Sequence, residues 1–232
     1  MAKEALNRID SRKRERIFRN AAAEFARHGY HKANINSIAQ RAGIAKGSIY
    51  LYFTDKLDLY CSTFREAARL QNGIFEEIED MDLDPIAKIE KVLEKSLELF
   101  PRYRNMYKMY FDLTTSGNDE FLADMAQVLE KSSAEFFARI LMKGIAAGAL
   151  RKDLAIKHAA YVIDCVYSTF LATLASRYQK ERFRVFTNKD IAKSANIVED
   201  HFHEILKILQ IGIIAERRGK RTGRRRSPSP KR

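Results

Sequence analysis

Lys46, Gly47, Ser48, Tyr50 and Tyr52 fall within seven consecutive positions, with Lys56 four residues further on and Asn34 upstream. Ammonium, hydroxyl, phenol and amide groups at this density are donors suited to phosphate oxygens and to base edges. Gly47 inside a helical pattern costs about 0.5–1 kcal/mol relative to alanine. That cost makes sense where a foreign backbone, here a phosphodiester, must come close. Lys56 opens a helix, where the macrodipole disfavours a cation, and a bound anion would reverse that penalty. The plainer readings are half-buried aromatics for Tyr50 and Tyr52 and a solvated first-turn lysine for Lys56.

A second group has a different chemistry. Tyr103, Tyr107 and Tyr110 recur at i, i+4 and i+7, on one helical face. With Phe75, Phe137 and Tyr167, and further aromatics such as Phe136 and Tyr161, they could line a cavity for an apolar or amphipathic small molecule, the hydroxyls orienting it. Packed core is the competing reading. Asp164 sits among apolar residues in Tyr161-Val162-Ile163-Asp164-Cys165-Val166-Tyr167. An unpaired buried carboxylate is costly, so Asp164 is a pocket acid, a partner for a cation, or simply exposed.

Enzymatic chemistry finds no constellation. His201 and His203 are two apart on a helix and point in different directions. Glu199 and His203 share a face, but two ligands make no competent zinc site, and a surface ion pair is the expected reading. No phosphate-binding glycine loop or nucleophile elbow is present. No catalytic residue, metal or cofactor is expected.

The elements that position these residues read as helices throughout. Ile17, Phe18, Ala21, Ala22 and Phe25 have helical spacing, and Gly29 stops that helix. Asn34 caps a second, short helix ended by Gly43; a third runs from Lys46 to Tyr52. Asp55 caps a fourth from Lys56 to about Asp80. Helices this short need the first as a hydrophobic back, through Phe18, Ala22 and Phe25 against Ile38, Ala39, Ile44 and Ile49. After a break at 81–85, Pro85 begins a helix to Phe100, Pro101 cuts it, and another segment reaches Thr114. Residues 115–118 read as a loop. Helical patterns then cover 119–147, 154–179 and 188–215, and no long period-two alternation occurs. The expected fold is all-α.

Of 232 residues, 46% are hydrophobic and 31% charged, which excludes wholly disordered and fibrous classes. Two cysteines, Cys61 and Cys165, read as reduced thiols of a cytoplasmic protein. No unbroken apolar run reaches membrane-spanning length, and residues 1–10 lack the apolar segment of a secretory signal. The net charge of +12 is uneven: residues 1–60 carry 12 Lys and Arg against 6 Asp and Glu, 61–215 carry 21 against 23, and 216–232 carry 9 against 1. A basic end is the usual footprint of nucleic-acid binding, although it also serves solubility or membrane surfaces. The tail from Arg217 lacks large apolar residues and reads as disordered.

The run Ile17-Phe18-Arg19-Asn20-Ala21-Ala22-Ala23-Glu24-Phe25-Ala26-Arg27-His28-Gly29-Tyr30, followed by Ile35 through Lys56, resembles the N-terminal DNA-binding domain of TetR-family transcriptional regulators. The resemblance covers about residues 10–60. It implies a homodimer in which each subunit joins a helix-turn-helix head to a larger α-helical body for ligand binding and dimerisation. Carried over by position, Asn34 caps and touches phosphate, Lys46, Gly47, Ser48 and Tyr50 lie on the recognition helix, and Tyr52 and Lys56 clamp the backbone. Two departures stand out. Ala33-Asn34 replaces a common pair of threonines, and Ala45 replaces a common Ser or Thr cap.

The expected division is a head over 1–55, a body over 56–215 and a tail over 216–232. Apolar stripes on the last two patterns, Ala160, Ile163, Tyr167, Phe170, Leu171 and Leu174 with Ile197, Phe202, Ile205, Leu206, Ile208 and Leu209, are expected at a four-helix dimer interface. The expected function is a repressor that leaves an inverted-repeat operator on double-stranded DNA when a small apolar or amphipathic effector binds. The alternative is a nucleoid-associated protein of the same fold without an inducer, its basic tail holding any duplex by charge.

Overall fold

The structure, a computed structural model, describes residues 4–115 and 122–214. The described residues form ten helices and no strand; a lone antiparallel bridge joins Leu150 to Ile214. The helices are α1 (Glu4–Asn7), α2 (Ser11–Lys32), α3 (Ile35–Ala42), α4 (Lys46–Tyr52), α5 (Lys56–Glu79), α6 (Pro85–Thr115), α7 (Leu122–Ala146), α8 (Ile156–Ala175), α9 (Arg177–Thr187) and α10 (Ala195–Ile213). Of the loop expected at 115–118, Thr115 instead ends α6, and 116–118 lie outside the described residues, as does the tail expected at 216–232.

Local chemistry sets most boundaries. The Asp10 carboxylate accepts from the amides of Arg12 and Lys13, both at 3.0 Å, and starts α2. Gly29 leaves the helical path at φ 69°, so α2 bends there before a last turn to Lys32. Asn34 Oδ1 accepts from the Asn36 amide at 2.8 Å and starts α3, and Gly43 ends it at φ 67°. Asp55 Oδ1 accepts from the Asp58 amide at 2.7 Å at the head of α5.

Three expectations need correction. Pro101 does not cut the chain: α6 runs unbroken from Pro85 to Thr115. An interior proline costs about 3 kcal/mol, and burial of Val92 and Leu93 before it and Met106 and Met109 after it outweighs that loss. The pattern at 154–179 is two helices, because Ser176 turns extended, ends α8 and caps α9, which departs at 106°. The last helix begins at Ala195 rather than 188, since Asn188 adopts a left-handed conformation (φ 55°) and Ser194 supplies the cap.

Buried side chains form two clusters. One joins Phe18, Phe25, Ile38, Ile49 and Phe53 of the small N-terminal helices to Leu59 and Phe64 of α5, Met106 and Met109 of α6, and Met125 and Leu129 of α7. The other holds Phe75, Ile78, Val92, Phe136, Phe137, Phe170, Phe202 and Leu206. The buried Glu66 carboxylate bonds Arg14 of α2 and Arg69, each at 2.8 Å, fastening α2 to α5. Among the described residues, no single helix is long and apolar enough to cross a membrane.

Candidate nucleic-acid interface and ligand cavity

Helix α4 presents a short exposed face. Its first residues follow Ala45, which caps without a side-chain bond. Lys46 and Gly47 are exposed, Ser48 is half-buried and Tyr50 is 40% exposed. Among the described residues, a Cβ built on Gly47 would meet nothing within 4 Å, so their packing does not require this glycine. Leu51, 62% exposed, shares the surface; the sequence reading passed over it, although its place off the Ile49–Tyr52 face marks it as outward. Behind α4, the buried Glu24 carboxylate accepts from the Asn34 amide and from Arg41, both at 3.0 Å. This fixes the start of α3, where the Asn34 side chain is exposed.

Tyr52 and Lys56 are placed differently from the expectation of outward clamps. Tyr52 lies three residues after Ile49, on the core face, and is buried. Its hydroxyl accepts from Lys13 Nζ at 3.0 Å. Lys56 Nζ donates to the carbonyls of His31 at 2.8 Å and Ala33 at 3.2 Å and sits 5.1 Å from the centre of the Tyr30 ring. Its ammonium thus ties α5 to the end of α2. These carbonyl acceptors offset the unfavourable dipole at Lys56.

In the body, a cavity of about 80 Å³ lies among α5, α6, α7 and α8. Tyr103, Tyr107, Tyr110, Asp164 and Tyr167 all line it, with Phe64, Leu70, Met106 and Leu129. Phe75 and Phe137, expected on its wall, are instead core residues: Phe75 stacks on Phe136 at 4.4 Å and meets Phe137 edge-on at 6.0 Å. Tyr161 points away, 70% exposed. Glu130, which the sequence reading missed, also lines the cavity and accepts from Tyr110 Oη at 2.9 Å. Its signal was available, since Glu130, Ser133 and Phe137 follow one helical stripe and the last two are buried. Tyr167 Oη and Ser96 Oγ bond at 2.8 Å in the buried interior.

Burial pushes the carboxyl groups of both Asp164 and Glu130 upward, and neither has an ion-pair partner among the described residues. A raised carboxyl pKa means that the folded state prefers the neutral acid. The stability tied to that group is complete below the ordinary carboxyl range and is lost as pH rises through the raised value. Asp164→Asn, which fixes a neutral group, is therefore expected to raise the melting temperature at pH 8, by about 2–4 °C per kcal/mol for a chain of this size. The gain should vanish towards pH 4. Equal gains at both pH values in thermal melts would place the effect elsewhere.

Other expectations also change in contact. The Ala160, Ile163, Tyr167, Phe170 and Leu171 stripe of α8, and Phe202 and Leu206 of α10, pack inside the chain rather than on a free face. The exposed apolar residues of those helices are Tyr161 and Val162 on α8 and Ile208 and Ile211 on α10. His203 Nδ1 bonds the Glu199 carbonyl at 2.8 Å, replacing the expected ion pair with the Glu199 carboxylate. No group of three or more His, Cys, Asp or Glu that could hold a metal occurs among the described residues.

Comparison with known proteins matches the same segments. The family model for bacterial regulatory proteins of the tetR family matches residues 17–61, from α2 through α4 into α5. The fatty acid metabolism regulator protein of Bacillus subtilis (strain 168) is 29% identical over 166 residues, covering 69% of this chain and 83% of that protein. The HTH-type transcriptional repressor KstR2 of Mycolicibacterium smegmatis is 26% identical, covering 61% and 69%. A TetR family transcriptional regulator from Chloroflexus aurantiacus superimposes with a TM-score of 0.63 at 25% identity, covering 93% of this chain and 99% of that one. The Bacillus subtilis FadR structure, in complex with stearoyl-CoA, shares the fold with a TM-score of 0.65 at 24% identity, covering 84% and 96%. Residues 17–61 thus match the tetR family model, and the all-helical chain is similar in sequence and fold to TetR-family transcriptional regulators.

Proposed function

We propose that the protein is a cytoplasmic, homodimeric repressor that leaves an inverted-repeat operator when a small amphipathic or apolar effector enters the body. In this reading residues 1–55 are the DNA-binding head and 56–215 the ligand-binding and dimerisation body. The observation that carries it is the exposed face of α4. Gly47 bears a helix penalty that no packing among the described residues explains, beside Lys46, Ser48 and Tyr50. A bare patch flanked by donors fits a duplex, whose major groove of about 12 Å admits a helix only when no bulk blocks it. Asn34 completes the phosphate contacts. Tyr52 and Lys56 support the helices that make them.

The coupling has a physical route. Helix α5 starts at the head, tied by Lys56, and its middle residues Phe64, Leu70 and Ile74 wall the cavity. The cavity is far smaller than the roughly 300–1,000 Å³ of ordinary ligand sites, so an effector must part its walls. An effector that fits only the parted state shifts the population towards it. A coupling of about 1–3 kcal/mol gives roughly 5- to 150-fold induction. The stearoyl-CoA held by the related FadR suggests an amphiphile with a long apolar chain. Tyr161, Val162, Ile208 and Ile211 offer the exposed apolar surface for a second copy. Relatives named as repressors favour this reading over a nucleoid-associated protein without inducer.

A gel shift on DNA from the gene's own upstream region tests it. Wild-type protein is expected to retard that fragment selectively, and Lys46→Ala with Tyr50→Ala to weaken the specific complex about 10- to 100-fold. Wild-type binding with no preference over random duplex would refute the reading.

A further inference from the structure

The cavity among α5, α6, α7 and α8 carries two carboxyl groups and no cation. Glu130 reaches it from α7 and Asp164 from α8, while among the described residues no Lys, Arg or His lines it. Neither acid has an ion-pair partner among the described residues. Tyr110 Oη donates to Glu130 at 2.9 Å, but one phenolic hydrogen bond does not replace a counter-charge on a largely apolar wall. A charge on Asp164 also pushes the Glu130 carboxyl further up, so ionisation of one acid opposes ionisation of the other. The other titratable groups on the wall are Tyr103, Tyr107 and Tyr110 of α6 and Tyr167 of α8; α5 contributes none. Burial raises all four phenols, so they stay neutral and compensate nothing. The two acids therefore weaken the fold with no compensating charge among the described residues.

We infer that the effector is a cation: a lipophilic primary amine whose ammonium meets Glu130 and Asp164 while its apolar chain lies against Phe64, Leu70 and Leu129. The inference rests on the ligand-responsive reading above and adds the sign of the ligand's charge. An ammonium brings three donors, which the two carboxyl groups and the Ser168 hydroxyl on the same wall can accept. The faces of Tyr107 and Tyr110 add attraction for a desolvated cation. The charges balance with one proton. The ammonium keeps its three hydrogens, one carboxyl group releases its proton to solvent and becomes the counter-ion, and the other stays protonated, because a single positive charge does not offset two negative ones. An alcohol of the same length meets two neutral acids and gains no such pair. A fatty carboxylate would add a third acid to the wall.

Calorimetric titration of the full chain with decylamine, decanol and decanoate, which differ only in the head group, tests the inference. The amine should bind wild-type protein at least about tenfold tighter than the alcohol, and decanoate should bind weakest. In Glu130→Gln with Asp164→Asn, the ratio of amine to alcohol affinity should fall towards one. A second readout needs no variant. At about pH 5, where the raised carboxyl groups still hold protons, amine binding should release up to roughly one proton, seen as a dependence of the measured heat on the ionisation enthalpy of the buffer. Decanol should release none. Equal affinity of wild-type protein for amine and alcohol, tighter binding of decanoate, no binding of the amine, or an amine preference that survives the double substitution would each overturn the cationic site. Amine binding without proton release at that pH would overturn it as well. Failure of the repressor reading is separate: it would appear as wild-type protein with no operator preference in the gel shift.

Discussion

Phe18→Ala is expected to lower stability by about 3–5 kcal/mol and to abolish operator binding well below the wild-type melting temperature. Phe18 is fully buried, its ring meeting Phe53 edge-on at 5.9 Å, with the Arg14 guanidinium 5.6 Å from its centre. Helices α3 and α4 have eight and seven residues, too few to hold themselves in water. Their folding depends on the α2 surface that Phe18 supplies. The loss should therefore fall first on the α4 face, and hydrogen exchange should show α3 and α4 unprotected in the variant. The melting temperature should drop by roughly 6–20 °C. Phe18→Leu keeps most of the volume and should recover most of the stability. Full operator affinity in Phe18→Ala would show that α3 and α4 draw their order from elsewhere.

The same helices show how much of the fold is legible in sequence. Asn34, Gly43 and Asp55 act within a turn of themselves: a side-chain oxygen meets a nearby amide, or a glycine accepts φ 67°. Such chemistry can be read without tertiary knowledge, and the boundaries of α3 and α4 follow. Pro101 and Ser176 mislead for the opposite reason. Proline's local penalty predicts a break, but packing on both sides of residue 101 keeps α6 whole. Ser176 interrupts a pattern whose apolar periodicity continues, and only the turn to α9 exposes the break.

The candidate sites divide along the same line. Lys46, Gly47 and Tyr50 need only the helical wheel to be placed outside. Tyr52 was legible too, since its spacing from Ile49 sets it on the core face, but its hydroxyl suggested a surface role. The partners of Lys56 were not legible: the carbonyls of His31 and Ala33 come from a turn 23 to 25 residues earlier. In the body, the tyrosine stripe of α6 is periodic and readable. Whether Phe75 or Glu130 completes the cavity depends on how α5 and α7 rotate about their axes, and that is settled by packing alone.

Phe136→Ala is expected to cost a similar amount, about 3–5 kcal/mol, but to act on the other end of the molecule. Phe136 is wholly buried, stacked on Phe75 and 5.4 Å from Phe137. Helices α5, α6 and α7 each contribute to both buried clusters, whereas α3 and α4 contribute only to the first and α8 and α10 only to the second. Truncating Phe136 should thus loosen α7 and α8 while α3 and α4 keep their amide protection, and operator affinity should persist below a melting temperature lowered by roughly 6–20 °C. The new void would lie beside Phe75, next to Ile74 on the cavity wall. Less work would then be needed to part the cavity walls, so an apolar effector should bind more tightly relative to the variant's own stability and dissociate the operator complex at lower concentration. Equal loss of protection in α3, α4, α7 and α8 would mean that the clusters open as one unit. In that case effector energy reaches the head through the whole fold rather than along the three shared helices.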